Sequence, residues 1–235
     1  MLAAVFPGCH PRVARLLLAQ APLVVALLGP DLSLLFSNEC GLGPTEDGPI
    51  VREALVGRGD SRVLPAMLVE ERATYVRQVL QTGMTLCVTG MIRGCLIRTI
   101  YLRMECEGRP AVLVVAFRVT EFGEPPAFEA DRAGADGLTL IRARNDDLGH
   151  LEELTERELQ VLRYIGQGLT AAEIGKLLHR AVKTVEGHRV SLGTKLRLKG
   201  KADLVRTAIS CGLTALDDRE VVLLAKQARL TRELA

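Results

Sequence analysis

Between Leu154 and Leu213 the chain carries two Thr-x-x-Glu tetrads, Thr155 to Glu158 and Thr170 to Glu173, each set directly before apolar residues at helical spacing. In such a tetrad the hydroxyl accepts from the backbone amide three residues on, while the carboxylate reaches back to the first amide. Two orphan donors at a helix start are thereby satisfied together. After the first tetrad Leu159, Leu162 and Ile165 share one face, and Gly166 and Gly168 close the run. After the second, Ile174, Leu177 and Leu178 form the apolar side of a shorter helix. His179 to Ala181 leave room only for a tight turn before a third helix. Short helix, tight turn and longer helix is helix-turn-helix spacing.

Turned at about 100° per residue, the third helix gathers Val185, Leu192 and Leu196 into a narrow arc that is expected to pack inward. The opposite arc holds Lys183, Gly187, Val190 and Thr194, with Glu186, Ser191 and Arg197 at its flanks. An outer surface that is small, polar and basic can lie in a DNA major groove. Lys183 and Arg197 would meet phosphates, and Glu186 would accept from a cytosine amino group. Charge points the same way. From Arg163 to Arg206 there are ten Lys or Arg against Glu173, Glu186 and Asp203, a surplus of seven in a chain of net charge +2, which leaves the remainder near −5. A solvated basic surface without a ligand would explain the charge alone. Joined to the two caps and the tight turn, it indicates a polyanionic partner, double-stranded DNA.

Leu154-Thr155-Glu156-Arg157-Glu158, Val161-Leu162, Gly168-Leu169-Thr170, Glu173-Ile174, Lys183-Thr184-Val185, His188 and Lys195-Leu196 resemble the LuxR-type (GerE or FixJ-type) four-helix DNA-binding domain of bacterial transcription regulators. The resemblance covers about a quarter of the chain. It implies that Lys183 and Thr184 touch the DNA backbone, that residues after Val185 approach bases, and that a fourth helix around Ala202 to Cys211 takes part in dimerisation. The candidate DNA-binding set is therefore Thr170, Lys183, Thr184, Glu186, Gly187, Arg189, Val190, Thr194 and Arg197. Departures from the family pattern are Ala181 where Ser or Thr usually caps the recognition helix, and Val190 where many members carry a basic or polar side chain. A missing cap costs roughly 0.5–2 kcal/mol. Gly187 and Gly193 inside that helix are each unfavourable by about 1 kcal/mol relative to Ala. Specificity is accordingly expected to lean on phosphate geometry, DNA shape and dimer spacing.

At 235 residues the chain is long enough for two domains with separate cores. No window reaches the roughly 20 apolar residues of a bilayer span, since Gln20 and Pro22 interrupt the best one, Leu16 to Leu28. With no secretory leader pattern at the start, a cytoplasmic location is expected. Cys9, Cys40, Cys87, Cys95, Cys106 and Cys211 are scattered without metal-ligand spacing, and read as small buried apolar residues. Neither a P-loop nor a GxSxG elbow is present, so an enzyme is not expected.

The N-terminal half opens with PLVVALLGPDLSLLFSNE, two apolar runs split by Gly29-Pro30-Asp31, a hairpin between short strands. Residues 41–62 read as loop and short helix. Pro65 to Gln81 reads as a helix with Met67, Ala73, Val76 and Leu80 on its apolar side. Met84 to Ile92, Cys95 to Cys106 and Ala111 to Thr120 read as a meander of three strands. This order, together with the Asp-containing turn and the Asn after the second strand, resembles a PAS domain over roughly residues 20–120. A phosphoacceptor receiver lacks its acidic cluster here, and an acyl-homoserine-lactone domain lacks its aromatic lining in a chain with no Trp. No cofactor is expected, with heme or flavin in the PAS-like domain left as an open alternative.

Pro11 to Ala21 reads as an amphipathic leading helix in which Val13, Leu16 and Leu17 can pack across a two-fold axis. Glu121 to Leu148 is rich in Gly, Pro and Asp and reads as a linker, with a helix near Leu138 to Arg144. Asp217 to Leu234 reads as one more helix. The expected organisation is a leading helix (1–21), an α+β PAS-like domain of antiparallel sheet and flanking helices (22–120), a linker (121–150), an all-α helix-turn-helix domain (151–213) and a helical extension (214–235). A homodimeric transcription regulator that binds double-stranded DNA follows from these readings, with RNA polymerase or a sensor protein as further partners and no membrane association. The alternative is an interaction adaptor whose degenerate helix-turn-helix binds protein.

Overall fold

The computed structural model describes residues 23–38, 66–119 and 138–234, and the side chains of the final helix through Gln227. The leading helix over Pro11 to Ala21, the loop section 41–62 and most of the linker lie outside the described residues. By its contacts the chain divides into two units. One holds the described residues up to 91, 97–118 and 138–145; the other holds 92–96, 119 and 146–234.

The first unit is a six-stranded sheet with one described helix. Its elements are β1 (Leu23–Leu28), β2 (Leu34–Ser37), α1 (Ala66–Thr82), β3 (Thr85–Ile92), β4 (Cys95–Cys106), β5 (Arg109–Arg118) and β6 (Leu138–Arg142). The strand order is β2-β1-β5-β4-β3-β6. β1 pairs antiparallel with both β2 and β5, and β5 pairs antiparallel with β4. At the end of β2 the buried Asn38 side chain accepts from Val25 N at 2.9 Å and donates to Leu23 O at 2.9 Å, which ties the opening hairpin shut. Because side chains alternate along a strand, Ala26 and Leu28 of β1 and Val112 and Val114 of β5 face one core with Tyr75, Val76 and Val79 of α1, while Leu27 and Ala111 face the other side.

Two expectations are corrected here. Residues 138–142 are a strand, not a helix, and they run parallel to β3, so the sheet is mixed where an antiparallel one was expected. A five-residue stretch, Leu-Thr-Leu-Ile-Arg, is too short to distinguish strand from helix by periodicity; the open edge of β3 supplied the partners that decide it, from Thr85↔Leu138 to Thr89↔Arg142. The apolar face of α1 is also rotated. Leu68, Tyr75, Val76 and Val79 are buried, whereas Met67 is exposed. Residues 68, 75, 76 and 79 fall at the i, i+7, i+8, i+11 spacing of one helical stripe.

The second unit is helical: α2 (Glu156–Gly166), α3 (Ala171–Leu177), α4 (Val182–Lys195), α5 (Lys201–Ser210) and α6 (Asp218–Leu234). Its core joins Leu159, Leu162 and Ile165 of α2 with Ile174, Val185, Leu192, Leu204 and Ala208, all buried. Val221 and Leu224 of α6 are buried as well, and Asp218 fastens that helix by accepting from Arg163 at 2.7 Å and from the Tyr164 hydroxyl at 2.7 Å. No helix among the described residues is long and apolar enough to cross a membrane.

Candidate nucleic-acid interface

Both Thr-x-x-Glu tetrads form complete capping boxes, Thr155 with Glu158 on α2 and Thr170 with Glu173 on α3. The helix-turn-helix turn itself rests on a feature that periodicity does not reveal. At the end of α3 Arg180 N donates to Gly175 O at 2.8 Å and His179 N to Lys176 O at 3.3 Å, with His179 in the left-handed region at φ 52°. This is a Schellman closure with His where Gly is usual. A Cβ at Gly175 would stand 2.8 Å from Arg180 O, so the glycine is what lets the chain turn back so closely. The same closure ends α4, where Leu198 N donates to Gly193 O at 2.8 Å and Arg197 takes φ 55°. Leu177, the last residue of α3, is 53% exposed, which corrects its expected place in the core.

α4 divides as its spacing predicts. Val185, Leu192 and Leu196 are buried; Lys183, Thr184, Gly187, Val190, Thr194 and Arg197 are exposed. Glu186 and Arg189 are half-buried and hold each other, Arg189 Nη1 donating to both carboxylate oxygens at 2.7 and 2.8 Å. Glu186 thus already has a cationic partner, which a cytosine amino group would have to displace. Thr170 is exposed, but its amide and hydroxyl both donate to Glu173 at 2.7 Å, so its polar groups serve the cap of α3. Ala181 starts α4 in an extended conformation with no side-chain cap.

Glu158 seats α4 on α2, a role not visible in the tetrad that contains it. Its carboxylate accepts from Lys195 Nζ at 2.7 Å and from the Ser191 hydroxyl at 2.6 Å, both on α4, besides the Thr155 amide at 2.8 Å. Burial pushes this carboxyl up, but the hydrogen bonds from Lys195, Ser191 and Thr155 outweigh it and bring the group down to about 2. The four described cysteines, Cys87, Cys95, Cys106 and Cys211, are buried and form no disulfide. Among the described residues no cluster of His, Cys, Asp or Glu could hold a metal ion.

Residues 152–208 match the family described as "Bacterial regulatory proteins, luxR family". This stretch is a GerE/LuxR-type helix-turn-helix domain. That family consists of transcription regulators and is not enzymatic. The LuxR-type domain is 45% identical over 56 residues to the oxygen regulatory protein NreC of Staphylococcus aureus strain JH9, and equally to that of strain USA300, a span of 24% of this chain and 26% of each relative. The chain thus matches about a quarter of the length of those curated relatives. Among solved structures, the Vibrio cholerae VqmA dimer without target DNA aligns at a TM-score of 0.38 with 20% identity, covering 91% of this chain and 93% of that one. Escherichia coli SdiA aligns at 0.26 with 15% identity, covering 83% and 84%. Neither score supports an argument, and the LuxR-type assignment rests on residues 152–208.

Proposed function

We propose that the chain is a sequence-specific DNA-binding transcription regulator of the cytoplasm, acting as a homodimer through its LuxR-type domain under control of an N-terminal PAS-like domain. The observation that carries this reading is the two-sided α4. Val185 and Leu192 are fully buried, while Lys183, Gly187 and Thr194 are exposed on the opposite side, with Thr184 exposed at its flank and Arg197 exposed just past the C-terminal end. Lys183 and Arg197, one near each end of the helix, would grip phosphates and set its register; Thr184 would add a backbone contact. In a dimer two such helices would enter successive major grooves about 34 Å apart.

Support for PAS-like control comes from the first unit, where an opening hairpin and a three-strand meander share one sheet and α1 packs on it. In this reading that domain runs on to residue 145 to include β6, and the linker shortens accordingly. The test is a mobility-shift series with the full chain and genomic duplex fragments at rising salt. Affinity should fall steeply, and Lys183→Ala should reduce the slope of log K against log salt by about 0.9, the share of one phosphate contact. Failure to bind any duplex at low salt would favour the adaptor reading instead.

A further inference from the structure

Val190 stands at the middle of the exposed face of α4 and is 70% exposed, more than Leu177 or Val182 in the same domain. A branched apolar side chain held in water is unfavourable by the transfer free energy of its surface, so its setting matters. On the helix its neighbours toward the N-terminus are Glu186 and Gly187, and toward the C-terminus Gly193 and Thr194. Gly187 leaves open space where a Cβ would be. Thr194 Oγ1 donates to Val190 O at 3.1 Å, so its hydroxyl hydrogen is turned into the helix. Glu186 is engaged by Arg189 at 2.7 Å. The middle of this face therefore projects one apolar knob, bordered by an empty glycine position and by polar groups already bonded within the helix.

From this we infer that Val190 reads the 5-methyl group of a thymine in the major groove. The inference rests on the DNA-binding reading above and names what that face recognises. Thymine's methyl is the one apolar feature that base edges display in the major groove, and an apolar side chain is the group that selects it. Because Gly187 and the internally bonded Thr194 keep bulk and competing donors away from Val190, the helix can approach the groove floor closely enough for a short side chain to reach. The contact needs no hydrogen bond, so it adds sequence preference where the helix has few free polar side chains.

The test begins with selection of a preferred duplex from a random-sequence library by the full-length protein. That duplex is then made with each thymine replaced singly by deoxyuridine, which removes only the methyl. At one thymine position per half-site the replacement should weaken binding about fourfold, the effect of one methyl group withdrawn from water. Val190→Ala is on the surface and leaves the fold intact; it should bind the thymine and uracil forms within about twofold of each other at that position, the signature of a direct pairing. If wild-type protein selects a duplex yet binds every uracil form as tightly as the parent, or if Val190→Ala keeps the full methyl preference, the inference is overturned while the DNA-binding reading stands. If no duplex is selected, the DNA-binding reading fails and this one with it.

Discussion

Glu158 shows how one carboxylate can belong to a cap and to an interface at once. Within α2 it completes the capping box with Thr155, and across the domain it takes Lys195 and Ser191 of α4. Its folded value of about 2 lies below the ordinary 4.5, so the stabilisation it provides is fully present above about pH 4.5 and is lost as pH falls toward 2. That depression corresponds to roughly 3 kcal/mol at neutral pH. Glu158→Gln is expected to lower the unfolding free energy at pH 7 by about 2–3 kcal/mol. Urea denaturation followed by helical circular dichroism would measure it, and the gap to wild type should close between pH 4 and pH 2. A gap that stayed constant over that range would show that the charge is not what matters. The tetrad itself was legible as a cap from four residues. Its partners were not, because Ser191 and Lys195 lie more than thirty positions away and nothing local marks them.

Among elements, α3 and α4 show where spacing suffices and where it does not. The arc of Val185, Leu192 and Leu196 needed only the helical period, and all three are buried. The end of α3 is set by a backbone closure at His179 and Gly175, residues without a distinctive hydropathy pattern, and Leu177 at that end lies outside the core. Ala181 already has the extended backbone of an N-cap, with φ −65° and ψ 147°, yet offers no acceptor. Ala181→Ser should therefore stabilise the LuxR-type domain by about 0.5–2 kcal/mol, read as a rise in its thermal midpoint, without touching Lys183 or Arg197. No change, or a fall, would mean that the first amides of α4 are satisfied in another way. β6 is the opposite case to the arc. Beside β3 its short run becomes a strand, and Glu71 of α1 then accepts the amides of Arg144 and Asn145 at 2.7 and 3.0 Å to hold the chain that follows.

Across the whole molecule, two units with different construction share one chain, and only the LuxR-type domain has a counterpart among the curated relatives described above. Its family assignment draws on motifs contained within 57 consecutive residues, 152–208. The first unit has few such motifs. The PAS-like reading proposed for it draws on the order of strands and on Asn38, which closes the opening hairpin as a buried side chain. If that domain sets the spacing of two recognition helices, the full chain should sediment at twice the monomer mass at micromolar concentration. A monomer under those conditions would remove dimer spacing as a source of specificity and leave the weight on α4 itself.

By itself the sequence determined the features that short-range physics controls. These are the two caps, the inward arc of α4, its exposed outer side and the strand-turn-strand rhythm of the N-terminal half, each settled by residues within a turn or a hairpin of one another. Tertiary structure alone decided the rest: that Glu158 anchors α4, that Arg189 occupies Glu186, that α1 turns Leu68 and Tyr75 inward, and that residues 138–142 join the sheet parallel to β3. Each of those outcomes depends on which partner the folded chain brings within a few ångströms. Propensity and period carry no information about a neighbour that is distant in sequence.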